Sequence, residues 1–239
     1  MKQTPSDRKG AWLRICEIYR SVQGEGLLTG TPSVFVRTSG CNLRCWFCDT
    51  PFASWQPEGE HLSIAQVGDR VDELQVDHVV LTGGEPFIYK NLSELCDRLG
   101  STGHHLTIET AGTIHRELAC DLISISPKLS GSAPVSTSGS WQAAHHQRRE
   151  RPAVVRQLMR EHSYQLKFVV DQPADAEEVL EYLQKLGEFD GDRVLLMPQG
   201  TQAAELERQA EWLQPWCEQH ELRFCSRAHI HWFGNTRGT

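Results

Sequence analysis

The stretch Ser33-Val-Phe-Val-Arg-Thr-Ser-Gly-Cys-Asn-Leu-Arg-Cys-Trp-Phe-Cys48 decides how the rest of the chain is read. Its opening residues, Ser33–Thr38, are rich in β-branched and aromatic side chains and read as a strand. The loop that follows brings three thiols within eight residues. A strand that delivers a chemically loaded loop suits a parallel α/β fold, in which reactive groups collect at the carboxyl ends of the strands. From residue 33 to the end, further short runs alternate with helical patterns. Strands are expected at His78–Leu81, His105–Glu109, Leu122–Ser126, Gln165–Val170 and Arg193–Met197, with a seventh at Leu222–Cys225. Several are nearly continuous apolar runs, as parallel strands covered on both faces are. Ser63 with Gln66 forms a capping-box pattern ahead of Ile64, Val67, Val71 and Leu74, and Asn91 with Glu94 repeats it ahead of Leu92, Leu95 and Leu99. Two more amphipathic stripes run through Val179, Leu183 and Leu186, and through Leu206, Ala210, Leu213 and Cys217, the last with a kink expected at Pro215.

Repeated βα units without a break in composition read as one domain over residues 1–239, a parallel barrel or partial barrel. Leu129–Trp141 is rich in Ser and Gly and reads as a mobile loop, part of an insertion around 129–151. The residues with no packing rationale sit after the strands, at Gly40–Asp49, Thr82–Pro86, Thr110–Gly112, Ser126–Lys128 and Pro198–Thr201.

The 239 residues carry a net charge of −7, which argues against a nucleic-acid partner. The one basic run, His145–Arg151, reads as a solvated loop. No apolar run approaches a membrane span, and the first ten residues, MKQTPSDRKG, lack a secretory apolar region, so no membrane association and a cytoplasmic location are expected.

Cys16, Cys96, Cys120, Cys217 and Cys225 are scattered singly in apolar segments and read as small buried hydrophobes. The triplet Cys41, Cys45 and Cys48 is different, because a thiolate cluster of that density binds a soft metal. A structural zinc site wants four ligands, and no second pair of the needed spacing is present, although His104/His105 or His229/His231 offer single ligands. An electron-transfer [4Fe–4S] cluster also wants four cysteines. Three ligands leave one iron open, and Cys-x3-Cys-x2-Cys is the signature of the radical S-adenosylmethionine (SAM) superfamily. A zinc site, a thiol redox site and a non-catalytic Fe–S or Zn binding module are the competing readings. Thr82-Gly-Gly-Glu-Pro86 after a strand resembles the glycine-rich SAM-binding segment of that superfamily.

Beyond the cysteines, the chain resembles the 7-carboxy-7-deazaguanine synthase family of queuosine and 7-deazapurine biosynthesis over nearly its whole length. The resemblance rests on Ser21-Val-Gln-Gly-Glu-Gly26, Val34-Phe-Val-Arg-Thr-Ser-Gly-Cys-Asn42, Cys48-Asp-Thr50, Leu81-Thr-Gly-Gly-Glu-Pro86, Thr107-Ile-Glu-Thr-Ala-Gly112 and Ile125-Ser-Pro-Lys128. It implies an α/β fold, a modified, incomplete TIM-like (β/α) barrel of the radical SAM superfamily, usually a homodimer. It implies conversion of 6-carboxy-5,6,7,8-tetrahydropterin to 7-carboxy-7-deazaguanine with loss of ammonia. A [4Fe–4S] cluster, SAM regenerated at each turnover, Mg2+ and a small flavoprotein electron donor such as flavodoxin are implied with it.

Carried over residue by residue, Cys41, Cys45 and Cys48 hold the cluster and Thr50 offers its hydroxyl to Mg2+. Val22, Gln23, Gly24, Glu25, Arg37, Thr82 and His231 contact the substrate. Phe47, Cys48, Asp49, Gly84, Ser126, Pro127, Lys128, Met197, Pro198, Gln199 and Gly200 line SAM. A glycyl-radical activase is the runner-up, since it shares the cysteine spacing, but it needs a groove for a polypeptide. The tail, His229–Thr239, departs from family members that end in a substrate-contacting proline.

Overall fold

The computed structural model describes residues 11–134 and 139–239. The strands are β1 (Trp12–Val22), β2 (Pro32–Thr38), β3 (Glu60–Ser63), β4 (His78–Gly83), β5 (His105–Thr110), β6 (Leu122–Ile125), β7 (Tyr164–Val170), β8 (Val194–Pro198) and β9 (Arg223–Phe224). The helices are α1 (Ile64–Asp72), α2 (Leu92–Ser101), α3 (Gly139–Arg149), α4 (Pro152–Glu161), α5 (Pro173–Leu186), α6 (Ala203–Gln219) and α7 (Ala228–Phe233). The strands form one open sheet in the order β3-β1-β2-β4-β5-β6-β7-β8-β9. From β2 to β9 every neighbouring pair is parallel, while β1 runs antiparallel to both β2 and β3. This is the expected incomplete barrel, extended by two antiparallel strands at one edge.

Strand alternation divides the molecule into a dry side and a cavity side. Val34 and Val36 of β2, Leu166, Phe168 and Val170 of β7, and Val194 and Leu196 of β8 pack with the helices in the main core. Their neighbours Phe35, Arg37, Lys167, Val169 and Met197 face a cavity at the other side. The apolar runs therefore cover only one face with helices, and the second face carries the chemistry.

A bulge in β1 serves that division. Ile15 pairs with Thr38, but Glu17 pairs with Arg37, so one extra residue is absorbed at Cys16. Without it Glu17 would share the core face of Leu13 and Ile15. The bulge turns Glu17 and Tyr19 to the cavity beside Arg37 and Phe35 instead.

The sequence patterns hold for most helices. Ser63 caps α1 through the expected reciprocal box with Gln66. Asn91 does not cap α2, because its Nδ2 donates to Trp12 O at 2.8 Å and ties the helix to β1. Helix α6 runs through Pro215 without ending there.

The expected 129–151 loop holds a 3-10 turn at Ser130–Ser132 and then α3. Residues 135–138 of it lie outside the described residues. The basic run within it is not a solvated loop, since His145 is fully buried and Arg149 pairs with Glu178. Among the described residues, no helix is long and apolar enough to cross a membrane.

Replacing Ser63 by Ala removes one side of the capping box. Stability is expected to fall by about 1 kcal/mol, read as a lower urea midpoint at unchanged slope.

Candidate active site

The parallel strands end around a cavity of about 360 Å³, within the size range of small-molecule sites. Its wall takes Arg37 from β2, Thr82 and Gly83 from β4, Glu109 and Thr110 from β5, Ser124 from β6, Lys167 from β7 and Met197 from β8. The cysteine loop, the turn after β1, Arg227, His229 and residues 235–239 complete it.

Buried charge organises this wall. Lys167 Nζ lies 2.5 Å from Glu25 Oε2 and 3.5 Å from Glu109 Oε1. Arg227 Nε donates to the other Glu25 oxygen at 3.1 Å, Nη1 donates to Gly200 O at 2.6 Å, and Nη2 pairs with Asp49. Glu109 also accepts from Thr82 Oγ1 at 2.8 Å and from Gln23 Nε2 at 3.5 Å. Burial alone would push the Glu25 carboxyl up, but Lys167 and Arg227 outweigh it and hold Glu25 well below the usual carboxylate range. Lys167 is displaced upward: burial opposes the charge, and Glu109 and Glu25 more than restore it.

A second cluster sits beside it. Arg37 Nε donates to Glu17 Oε1 at 2.7 Å and Nη2 to Tyr19 OH at 3.0 Å. Arg237 from the tail reaches the other Glu17 oxygen at 2.8 Å and Glu58 at 3.1 Å, with its guanidinium 3.9 Å over the Phe52 ring.

The three cysteines open on this cavity. Burial, with Glu85 adding to it, pushes the Cys41 thiol up to about 12, and burial pushes Cys45 up to about 11 against the pull of Lys128. Buried thiols of this kind shed their protons to a bound metal rather than to water. Among the described residues, no three Cys, His, Asp or Glu side chains converge on the position of one metal ion. In a four-iron cluster each thiolate binds a different iron, so the donor set fits that group.

The glycine-rich segment has a packing reason of its own. A Cβ on Gly84 would come within 2.1 Å of Gly40 O and 2.8 Å of Ala53 O, so Gly84 lets two loops close together. Glu85 of the same segment faces away from the cavity and accepts from Thr110 Oγ1, Ala111 N and Phe87 N.

The cavity brings together Val22, Gln23, Gly24, Glu25, Arg37, Thr50 and Thr82 with Phe47, Asp49, Gly84, Ser126, Lys128, Met197 and Gln199. Pro127 faces a separate small recess beside Trp46 and Phe47, and Pro198 and Gly200 do not line the cavity. His231 is not in the cavity. It sits 3.9 Å from Glu207 on α6, while His229 lines the cavity. Two residues of helix turn the side chain by roughly 200°, so only one of these histidines can face inward. Lys167, Arg227, Glu17, Tyr19 and His229 line the cavity without being selected by motif spacing, and Glu109 does so from within the Thr107–Gly112 motif. The available signal for Lys167 is a cation alternating with Leu166 and Phe168 inside an apolar strand.

The chain is similar to known proteins in sequence and in fold. The radical SAM superfamily model matches residues 35–198. A 7-carboxy-7-deazaguanine synthase of Rhodopirellula baltica is 47% identical, covering 99% of this chain and 93% of the relative. A second, from Halobacterium salinarum, is 42% identical over 96% of this chain and 93% of its own length. This chain belongs to the 7-carboxy-7-deazaguanine synthase family. The crystal structure of QueE from Escherichia coli shares the fold, with a TM-score of 0.67 at 22% identity, covering 91% of this chain and 95% of that one. Family membership makes this a radical SAM enzyme, with SAM and a [4Fe–4S] cluster as its cofactors. The tail that departs from the family pattern still reaches the cavity, through Asn235–Thr239.

Lys167→Met leaves Glu25 and Glu109 short of a buried cation. The variant is expected to lose about 3 kcal/mol at pH 7. Glu25 is depressed in the folded state, so its contribution is present above the unfolded value near 4.3 and is lost as pH falls toward the folded one. The gap between wild type and variant should therefore narrow below about pH 4.3 in urea titrations.

Proposed function

We propose that this chain is a radical SAM carbon–nitrogen lyase that converts 6-carboxy-5,6,7,8-tetrahydropterin to 7-carboxy-7-deazaguanine. The observation that carries this reading is one small-molecule-sized cavity holding three cluster-type cysteines beside a paired-charge wall. Substrate and product differ by one ammonia with no net change in electrons, which suits a SAM regenerated at each turnover. An activase would need a groove for a polypeptide, and this cavity is of a different scale.

Cys41, Cys45 and Cys48 would hold the cluster, with SAM against Phe47, Asp49, Gly84, Ser126, Lys128, Met197 and Gln199. Held there, the cluster and SAM would supply the radical chemistry needed to remove hydrogen from substrate. The chain's own residues orient that substrate. Arg37 is anchored by Glu17 and Tyr19, which leaves its Nη1/Nη2 edge to take the substrate carboxylate through two N–H groups. Glu25 retains lone pairs beyond its two ion pairs and can accept from the amino-pyrimidine edge. Gln23 and Thr82 present polar atoms from the same wall. Thr50 lines the cavity, and the contact its hydroxyl makes is a long 3.8 Å to Cys48 Sγ, which suits a role as one oxygen ligand to Mg2+. The reading also carries a homodimer, a flavodoxin-like donor of the single electron and a cytoplasmic location.

Anaerobically reconstituted protein with SAM, reductant and the carboxytetrahydropterin tests this directly. Wild type should form the deazaguanine acid, and Cys45→Ala should lose both cluster absorbance and product. Full activity in Cys45→Ala would sink the assignment.

Arg37→Lys keeps the charge but loses the fork, at a cost of roughly 1–3 kcal/mol, or about 5- to 150-fold in kcat/KM. SAM cleavage without product should rise in that variant. Wild-type values for both would show Arg37 to be a structural ion pair. For Thr50→Ala the Mg2+ requirement should increase while the cluster stays intact, and Thr50→Ser should be milder; an unaltered Mg2+ titration removes Thr50 from the metal.

A further inference from the structure

The cysteine loop has no regular secondary structure, so its backbone polar groups must find partners elsewhere. Arg44 satisfies two of them itself, donating Nη1 to Cys41 O at 2.8 Å and to Leu43 O at 2.7 Å. The segment between β6 and α4 satisfies three more and also takes the Trp46 indole N–H. Arg148 Nη1 donates to Asn42 O at 3.0 Å, and His145 Nδ1 accepts from Arg44 N at 3.1 Å. Ser132 O and Gly131 O accept from Trp46 N and Trp46 Nε1, at 3.2 and 2.9 Å. Trp141 of α3 then stacks under the Arg44 guanidinium at 4.1 Å.

His145 has no exposed surface. An amide N–H can only donate, so Nδ1 is the acceptor and the ring proton sits on Nε2. That proton is donated to Ser132 Oγ at 2.9 Å, and the hydroxyl in turn donates to Leu129 O at 2.6 Å. The hydrogen bonds run in one direction from the cysteine loop to Leu129. Each partner is held by the next, and none touches the cavity chemistry.

We propose that His145 is a positioning residue for the iron–sulfur cluster, fixing the backbone between Cys41 and Cys45, and that α3 is a clamp on the cysteine loop. The inference rests on the reading that these cysteines hold the cluster. Outer partners that orient metal ligands commonly matter about 10- to 100-fold in metal retention. Hydrogen bonding around such a cluster also sets its electronic properties.

The test uses the reconstituted holoprotein and two readouts independent of turnover. These are the rate of iron release to a chelator and the electron paramagnetic resonance spectrum of the reduced cluster with and without SAM. His145→Leu should release iron roughly tenfold faster than wild type and shift the spectrum. His145→Asn places an amide oxygen near the Nδ1 position and should restore both to within about twofold of wild type, well inside that range. Arg148→Met, on the partly exposed side of α3, should accelerate release by a smaller factor. Wild-type release and spectrum in both His145→Leu and Arg148→Met would overturn the proposal. If His145→Leu does not fold, Arg148→Met decides alone, with unchanged release counting against the clamp. Failure of wild type itself to assemble a cluster would instead refute the cysteine assignment on which the proposal stands.

Discussion

Glu25, held between Lys167 and Arg227, is the constraint on which the rest of the site depends. Its carboxylate, 15% exposed, would be costly if left alone, so the fold must bring two cations to it. Those cations come from β7 and from the segment before α7, and Arg227 extends the chain to Asp49, next to the last cysteine. One set of ion pairs therefore joins the turn after β1, the cysteine loop, the middle of the sheet and the C-terminal helix.

The open sheet makes such a network necessary. A closed barrel would supply its own wall, whereas here the strand order ends at β3 and β9. The turn after β1, His229 and the tail close the gap. Gly24 shows how tightly they pack, since a Cβ there would lie 2.5 Å from the His229 Cβ. Opposite, the cysteine loop is held from below by Gly84 against Gly40 and from the side by α3. Glycine packing is thus common to both halves, but ion pairs order the wall around Glu25, while backbone hydrogen bonds order the cysteine loop.

This division explains what the sequence could disclose. Parallel strands from residue 33 onward are legible because their helix-facing positions are apolar and β-branched. Strands β1 and β3 are not, since β1 mixes Arg14, Glu17 and Arg20 with its apolar residues and breaks its own alternation at the bulge. Helix α3 hides for a related reason: among its described residues the buried one is His145, so no apolar stripe marks it. The cysteines declare themselves by spacing, and the motif residues follow from family resemblance. Lys167 and Arg227 act through contacts 142 and 202 residues away in the chain, which no local pattern encodes. That His229 lines the cavity while His231 lies by Glu207 follows from helix phase, which depends on where α7 begins.

The central claim is that one cavity holds the cysteine-bound cluster, SAM and the pterin together, so that hydrogen moves directly between the two small molecules. Substrate deuterated at the carbon bearing its carboxylate, turned over anaerobically by the reconstituted protein, measures this by mass spectrometry of recovered SAM and product. Deuterium should appear in SAM as the deazaguanine acid accumulates. Product formed with no deuterium in SAM would contradict the account.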